Sequence, residues 1–244
     1  MEIKSCLIDL DDCLIPNAHT YYLPQLDAAK LICIDLMWNA PYPTTIIKMA
    51  TDIQLANIKE LGYISKVCFP LSYVKVYEEL CAQSNKEPNH KIKGAIIDAA
   101  SKFFLQEYCL FDGVLDTLKA ITIPKIMVTR GDLDIQNYKI DNTGLRPYFD
   151  HIEIVNMKNT ETYLDIVLKY ELDQATTVMI GDSYYNDILP ALEAGLHAFK
   201  VSSALDSVDW EKEHRNETHE DIPEKFRDKY IKIKNFNEIV NYLG

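Results

Sequence analysis

Short apolar runs that end in polar chemistry recur along this chain, and helix-length patterns separate most of them. IKSCLID (3–9) reads as a short buried strand, as do KIMVT (125–129), HIEIV (151–155) and TTVMIGD (176–182). HAFKV and YIKIK are further strand candidates. DLDIQNYKIDNTG reads as a helix stopped by Gly144, TETYLDIVLKYEL as a second, and YYNDILPALEAG as a third stopped by Gly195. Pro190 is tolerable if that third helix begins near Asn186, because an early helical position needs no donor N–H. Strands alternating with helices predict an α/β fold, a parallel sheet with helices on both faces.

The segment 17–109 has a different rhythm, with helical signals and little strand character. Leu26, Ala29, Cys33, Leu36 and Met37 recur at helical spacing, which puts Pro24 in the first turn. NAPYP (39–43) breaks that helix. Ile46, Ala50, Ile53 and Leu61 predict a second helix ending at Gly62. Val74, Tyr77, Leu80 and Cys81 predict a third, and Ile92, Ile96, Ala99, Ala100 and Phe103 a fourth. The expected organisation is an α/β core (1–16 and 110–244) interrupted after its first strand by a helical insertion (17–109).

Composition narrows the partners. The chain has 244 residues, 48% of them hydrophobic, with a net charge of −12 and a pI near 4.9. Such a balance disfavours a nucleic acid polymer or an anionic membrane as partner. It leaves room for a small anionic substrate, because a local cation reverses the sign of a site. Acids interrupt the N-terminus before any signal-peptide core develops, and no apolar stretch is long enough to span a bilayer. The six cysteines lack paired zinc-ligand spacing and read as reduced, mostly buried thiols of a cytoplasmic protein. The glycosylation pattern at Asn216 would then stay bare, and the charged run 206–230 reads as a solvated loop.

Three strands end in chemistry: IDLDD, VTRGD and MIGDSYYND. Parallel sheets bind ligands beyond the carboxyl ends of their strands. Neighbouring strands would therefore gather Asp9, Asp11, Thr129, Asp182 and Asp187 in one crevice. Two carboxylates about 4 Å apart repel by roughly 4 kcal/mol at an effective dielectric near 20. Such a cluster needs a proton or a hard cation, and Mg²⁺ suits oxygen ligands while leaving positions for phosphate. Thr129 can donate a hydrogen bond to a phosphoryl oxygen, and the backbone N–H groups around Gly131 can add others. Lys158 can neutralise a further oxygen. Arg130, beside the motif, is a further phosphate-binding candidate, with a solvated or salt-bridged arginine as the alternative. With no Ser/His or Cys/His arrangement evident, the expected nucleophile is a carboxylate.

In these four stretches the chain resembles the haloacid dehalogenase-like hydrolase superfamily. DLDDCL resembles the family's Asp-x-Asp motif, VTRGD its second motif, Lys158 its third and GDSYYND its fourth. The resemblance implies a Rossmann-like core and a helical cap inserted between the first and second motifs. It implies Asp9 as nucleophile and Asp11 as acid and base. Asp9, the Asp11 carbonyl and Asp182 would bind Mg²⁺, Thr129 and Lys158 would hold phosphoryl oxygens, and Asp187 would support Lys158 or a metal-bound water. The insertion would hinge at about residues 15–18 and 108–112, closing on substrate. Cys13 and Asp12 depart from the Thr and Gly common in the family, and Cys13 removes a hydroxyl that could orient Asp11.

The function expected on this basis is a Mg²⁺-dependent phosphatase of a small phosphorylated metabolite, a nucleotide or sugar phosphate, acting as a monomer or homodimer. A phosphomutase and a non-catalytic phospholigand-binding protein remain alternatives. Dehalogenation would need neither Mg²⁺ nor Asp11. His19, Tyr21, Tyr22 and Trp38 are candidates for the substrate pocket, with packing in the insertion as their commoner fate.

Overall fold

In the computed structural model, which describes residues 2–104, 106–202 and 222–243, six strands form one sheet. They are β1 (Ser5–Ile8), β2 (Lys125–Arg130), β3 (His151–Val155), β4 (Thr177–Gly181), β5 (His197–Val201) and β6 (Tyr230–Ile233). Every pairing is parallel, and the order is β3-β2-β1-β4-β5-β6. The α-helices are α1 (Ala18–Leu36), α2 (Pro43–Leu61), α3 (Cys68–Gln83), α4 (His90–Ser101), α5 (Val114–Ala120), α6 (Leu133–Asn142), α7 (Thr160–Lys169) and α8 (Leu189–Glu193).

The strands alternate faces with period two. Cys6 and Ile8 of β1, Met127 of β2, and Val178 and Ile180 of β4 pack with Val114 and Leu118 of α5 and Ile140 of α6. Leu7, Ile126, Val128 and Met179 face the other way, onto Tyr163, Ile166 and Val167 of α7 and Ala191 of α8. Both faces are therefore covered, which is why these strands read as apolar runs. This is a Rossmann-like α/β fold. The one polar pair between β1 and β4, Ser5 and Thr177, is joined through its hydroxyls at 2.8 Å.

The chain divides into two compact units. One comprises Met1–Pro16, Tyr108–Arg130 and Gln136–Gly244, the other Asn17–Glu107 with Gly131–Ile135. The short second piece is tied to its own unit by Lys66, whose N–H donates to Asp132 Oδ2 at 3.0 Å and whose ammonium pairs with Asp134.

In the helical unit, Ile46, Tyr73, Tyr77, Leu80, Cys81 and Ile96 lie in one buried cluster, on the helices their spacing suggests. Helix α2 ends where Gly62 takes φ +77°, a left-handed conformation natural to glycine. Helix α1 departs from expectation. It begins at Ala18, so Pro24 lies in its interior rather than its first turn. Its buried face is Ala28, Ala29, Ile32 and Leu36, whereas Leu26 and Met37 are exposed. Apolar residues occur all round this helix, so spacing alone does not select the buried face. Pro24 has no N–H for the preceding turn, and packing against the rest of the unit sustains the helix in its place.

Two other expectations need correction. All six cysteines are free, but only Cys6, Cys13 and Cys81 are buried; Cys109 is exposed. The helix expected from about Asn186 begins instead as a π-type turn over Tyr184–Ile188, and α8 starts at Leu189 with Pro190 in its first turn. Asn216 and residues 206–221 of the charged run lie outside the described residues, while Glu224–Lys229 form a 3₁₀ turn leading into β6. No helix among the described residues is long and apolar enough to cross a membrane.

Candidate active site

Strand order reverses at β1. The chain runs from β1 through β2 to β3 on one side, then returns to β4 on the other and continues outward to β6. Such a switch point leaves a crevice beyond the carboxyl ends of the central strands. The site residues lie there because of register: Ile8 pairs with Met127 of β2 and with Ile180 of β4. Asp9 therefore emerges between Thr129, near the end of β2, and Asp182, just past β4. The Asp9 N–H donates to the Ile180 carbonyl at 2.9 Å, fixing the tip of β1 against β4.

Lys158 stands at the centre of the charges. It follows β3, is almost fully buried, and contacts Asp9 Oδ1 at 2.5 Å and Asp187 Oδ1 at 2.7 Å. Burial opposes its charge, but the carboxylates of Asp187 and Asp9 outweigh that and raise its pKa. Asp187 is fully buried. Its Oδ2 accepts from the Ser183 N–H at 3.0 Å, and the Tyr163 hydroxyl reaches its Oδ1 at 3.4 Å. The π-type turn aims this carboxylate back at β4, and Gly181 makes room for it: a Cβ there would meet Asp187 Oδ2 at 2.4 Å. Helical irregularities of this kind are frequent at functional sites.

Carboxylate oxygens of Asp9, Asp182 and Asp187 come within 4.8 Å of one another. Burial, then the charge of Asp187, push the Asp9 pKa from 3.8 up to about 8, although Lys158 works against this. Burial and the charges of Asp187 and Asp9 also push Asp182 well above its ordinary value. Three acids and one lysine leave a surplus of negative charge, which a divalent cation would neutralise. An all-oxygen donor set of this kind fits Mg²⁺. Asp9 and Asp182 are side-chain candidates for the ion, and the Asp187 carboxylate lies in the same cluster. The Asp11 carboxylate is held elsewhere, so any contact of that residue with the ion falls to its carbonyl.

Asp11 reaches two residues that the sequence reading does not single out. Lys139 Nζ donates to its Oδ1 at 2.7 Å, and Gln136 Nε2 donates to its Oδ2 at 3.0 Å. The same Gln136 nitrogen reaches Thr129 Oγ1. Both lie on α6, three residues apart, in the stretch that follows VTRGD. Only Ile135 and Ile140 are buried with them on this helix, so the sequence pattern gives no clear signal that the two polar residues turn inward. Cys13 turns its thiol to the Ile180 carbonyl at 3.8 Å. The orienting hydroxyl it lacks is thus matched by contacts from another element. Asp12 takes φ +57°, a left-handed conformation that aspartate tolerates better than most residues. Arg130 donates to Asn186 Oδ1 at 3.2 Å, bracing the π-type turn. In the helical unit, Tyr21 packs on Phe69 and Phe103 with ring centroids 4.9 Å away and donates to Gln54, whereas Trp38 is 94% exposed. The side chain of His19 lies outside the description.

The fold is a Rossmann-like parallel sheet, and its switch point gathers acids around one buried lysine at the strand tips. The chain belongs to the haloacid dehalogenase-like hydrolase family, which matches residues 3–195. It is 31% identical over 129 residues to the pyrimidine 5'-nucleotidase YjjG of Escherichia coli, a match spanning 49% of this chain and 55% of that protein. Its fold resembles that of a haloacid dehalogenase-like hydrolase from Xanthomonas campestris, with a TM-score of 0.76 at 21% identity over 99% of this chain and 91% of that one. It also resembles the magnesium-bound hydrolase YfnB of Bacillus subtilis, with a TM-score of 0.62 at 18% identity over the whole of both chains. At such identities these two structures establish the fold alone.

Proposed function

We propose that this protein is a Mg²⁺-dependent phosphatase that hydrolyses a small phosphorylated metabolite, of the nucleotide or sugar phosphate class, through an aspartyl-phosphate at Asp9. One observation carries the reading: Asp9 sits within 2.5 Å of a buried lysine, in a carboxylate cluster that calls for a cation. The partial likeness to a pyrimidine 5'-nucleotidase supports the nucleotide side of that class.

Asp9 attacks the phosphorus and the ester P–O bond breaks. The departing oxygen takes a proton from Asp11. Asp11, now a carboxylate, removes a proton from a water whose oxygen attacks the same phosphorus, which frees Asp9 and releases phosphate. Thr129 and Lys158 hold phosphoryl oxygens, and Asp187 holds Lys158 in line. Mg²⁺, held by Asp9, the Asp11 carbonyl and Asp182, would supply charge neutralisation for the phosphoryl group. Dehalogenation has no use for Asp11 or for a metal, yet here both oxygens of Asp11 are held in place.

The test is Asp9→Asn assayed with an aryl phosphate and Mg²⁺. Turnover is expected to fall at least about 1000-fold, the loss of the covalent route. Wild-type turnover by this variant would overturn the mechanism. Release of free phosphate distinguishes hydrolysis from a mutase, which would move the group to another hydroxyl.

A further inference from the structure

We propose that Gln136 and Lys139 are positioning residues that clamp Asp11 in the orientation that serves the leaving group, and that Gln136 also aims the Thr129 hydroxyl at the phosphoryl group. The proposal rests on the phosphatase reading above.

Both side chains are 2% exposed, so neither is there for solubility. A buried lysine is costly unless a carboxylate answers it, and the carboxylate that answers Lys139 is Asp11, at 2.7 Å. The ring of Tyr108 lies 5.5 Å from the same ammonium and flanks it with a second favourable contact. The Gln136 amide turns its NH₂ to Asp11, whose Oδ2 accepts from it. That nitrogen has two protons, and the second reaches Thr129 Oγ1. A hydroxyl that accepts from an amide keeps its own proton free to donate. The Thr129 proton is therefore available to a phosphoryl oxygen.

The geometry also says which position of Asp11 is held. One amide nitrogen bridges Asp11 to Thr129, so Asp11 is fixed within two hydrogen bonds of the phosphoryl-binding hydroxyl. Each Asp11 oxygen gives one lone-pair direction to the clamp and keeps another for the proton it passes on. Because Gln136 and Lys139 are one helical turn apart on α6, the clamp is as rigid as the helix that carries it.

The test compares two esters, 4-nitrophenyl phosphate, whose leaving group needs little protonation, and an alkyl phosphate, whose leaving group depends on it. The full chain is assayed with Mg²⁺, and kcat/KM is used because it reports steps only through transfer to Asp9. Lys139→Met is expected to lower kcat/KM on the alkyl ester by about 100-fold, and at least about tenfold less on the nitrophenyl ester. Lys139→Arg is expected to recover most of that selective loss. Gln136→Met, which leaves no buried charge unpaired, is expected to lose selectively for the alkyl ester by about fivefold, and it carries the test if Lys139→Met proves unfolded by circular dichroism. Equal losses on both esters, or no loss, would overturn the clamp while leaving the phosphatase reading intact. A wild-type protein inactive on both esters would overturn that reading and the clamp with it.

Discussion

The α/β unit and the helical unit bury different chemistry. The α/β unit buries Asp9, Lys139, Lys158, Asp187 and Lys200 beside its apolar core, whereas the buried polar residues described in the helical unit are Gln25, Thr51 and Ser72. The helical unit does contain a tight ion pair, Lys86 with Asp35 at 2.7 Å, but Lys86 stays 39% exposed where Lys158 is 3%. Its interior is otherwise aliphatic and aromatic, with Tyr21, Phe69, Tyr73 and Phe103 in mutual contact. Both units have extensive cores, so a core here does not require buried charge. Buried ion pairs seldom stabilise a fold relative to apolar packing of the same volume. Four of the five buried charged residues in the α/β unit converge on the strand tips at the sheet's switch point. Charge buried there is better understood as a requirement of chemistry than of folding.

The largest test of this contrast is Lys158→Met. It leaves Asp9 and Asp187 facing each other with no cation between them. In EDTA above about pH 8, where Asp9 is ionised, urea unfolding should register a loss of about 3–5 kcal/mol, and turnover with Mg²⁺ should fall at least about 1000-fold. A loss of stability below about 1 kcal/mol would mean that the buried lysine is not answering those acids. The counterpart in the helical unit is Ile96→Ala, at a fully buried aliphatic position. Its expected cost is about 2–5 kcal/mol, the usual range for such a cavity. The rise in unfolding midpoint produced by Mg²⁺ should nevertheless match that of the wild type. A reduced Mg²⁺ response in Ile96→Ala would overturn the assignment of ion binding to the α/β unit alone.

The same contrast explains what the sequence could reveal. Strands buried on both faces stand out as apolar runs, and three of them end in the residues that meet at the tips, so the sheet and the core of the site were legible. Asp9 and Thr129 are brought together by the register of β1 with β2, whereas Lys158 reaches in from beyond β3 and the π-type turn past β4 aims Asp187 back at it. The clamp from α6 was not legible. Gln136 and Lys139 are polar residues on a helix, and such residues usually face solvent; only the tertiary position of the helix turns them inward. Helix α1 was misread for the opposite reason, since Leu23, Leu26 and Ile34 are exposed while Ala28 and Ile32 are buried. Local pattern identifies an element well, and its buried face only when the opposite face is polar.

The smallest of these effects is the dependence of stability on pH, and the two units should differ in its sign. Without metal, Asp9 holds its proton up to about pH 8, against 3.8 in an unfolded chain, and Asp182 shifts in the same direction. Between those values the folded state binds more protons than the unfolded state, so stability falls as pH rises and the loss is complete above about pH 8. One proton over two pH units amounts to about 2–3 kcal/mol between pH 5 and 7, read from urea midpoints in EDTA. Mg²⁺ competes with those protons, so its stabilising effect should grow over the same interval and flatten the slope. In the helical unit, burial alone would raise the Asp35 pKa, but hydrogen bonds from Lys86 and Tyr77 hold it below the ordinary value. That contribution is present at neutral pH and is lost only as pH falls below about 4. A metal-free protein that grew more stable from pH 5 to 7 would mean that the strand-tip acids ionise freely, and the need for a cation inferred from their crowding would fall with it.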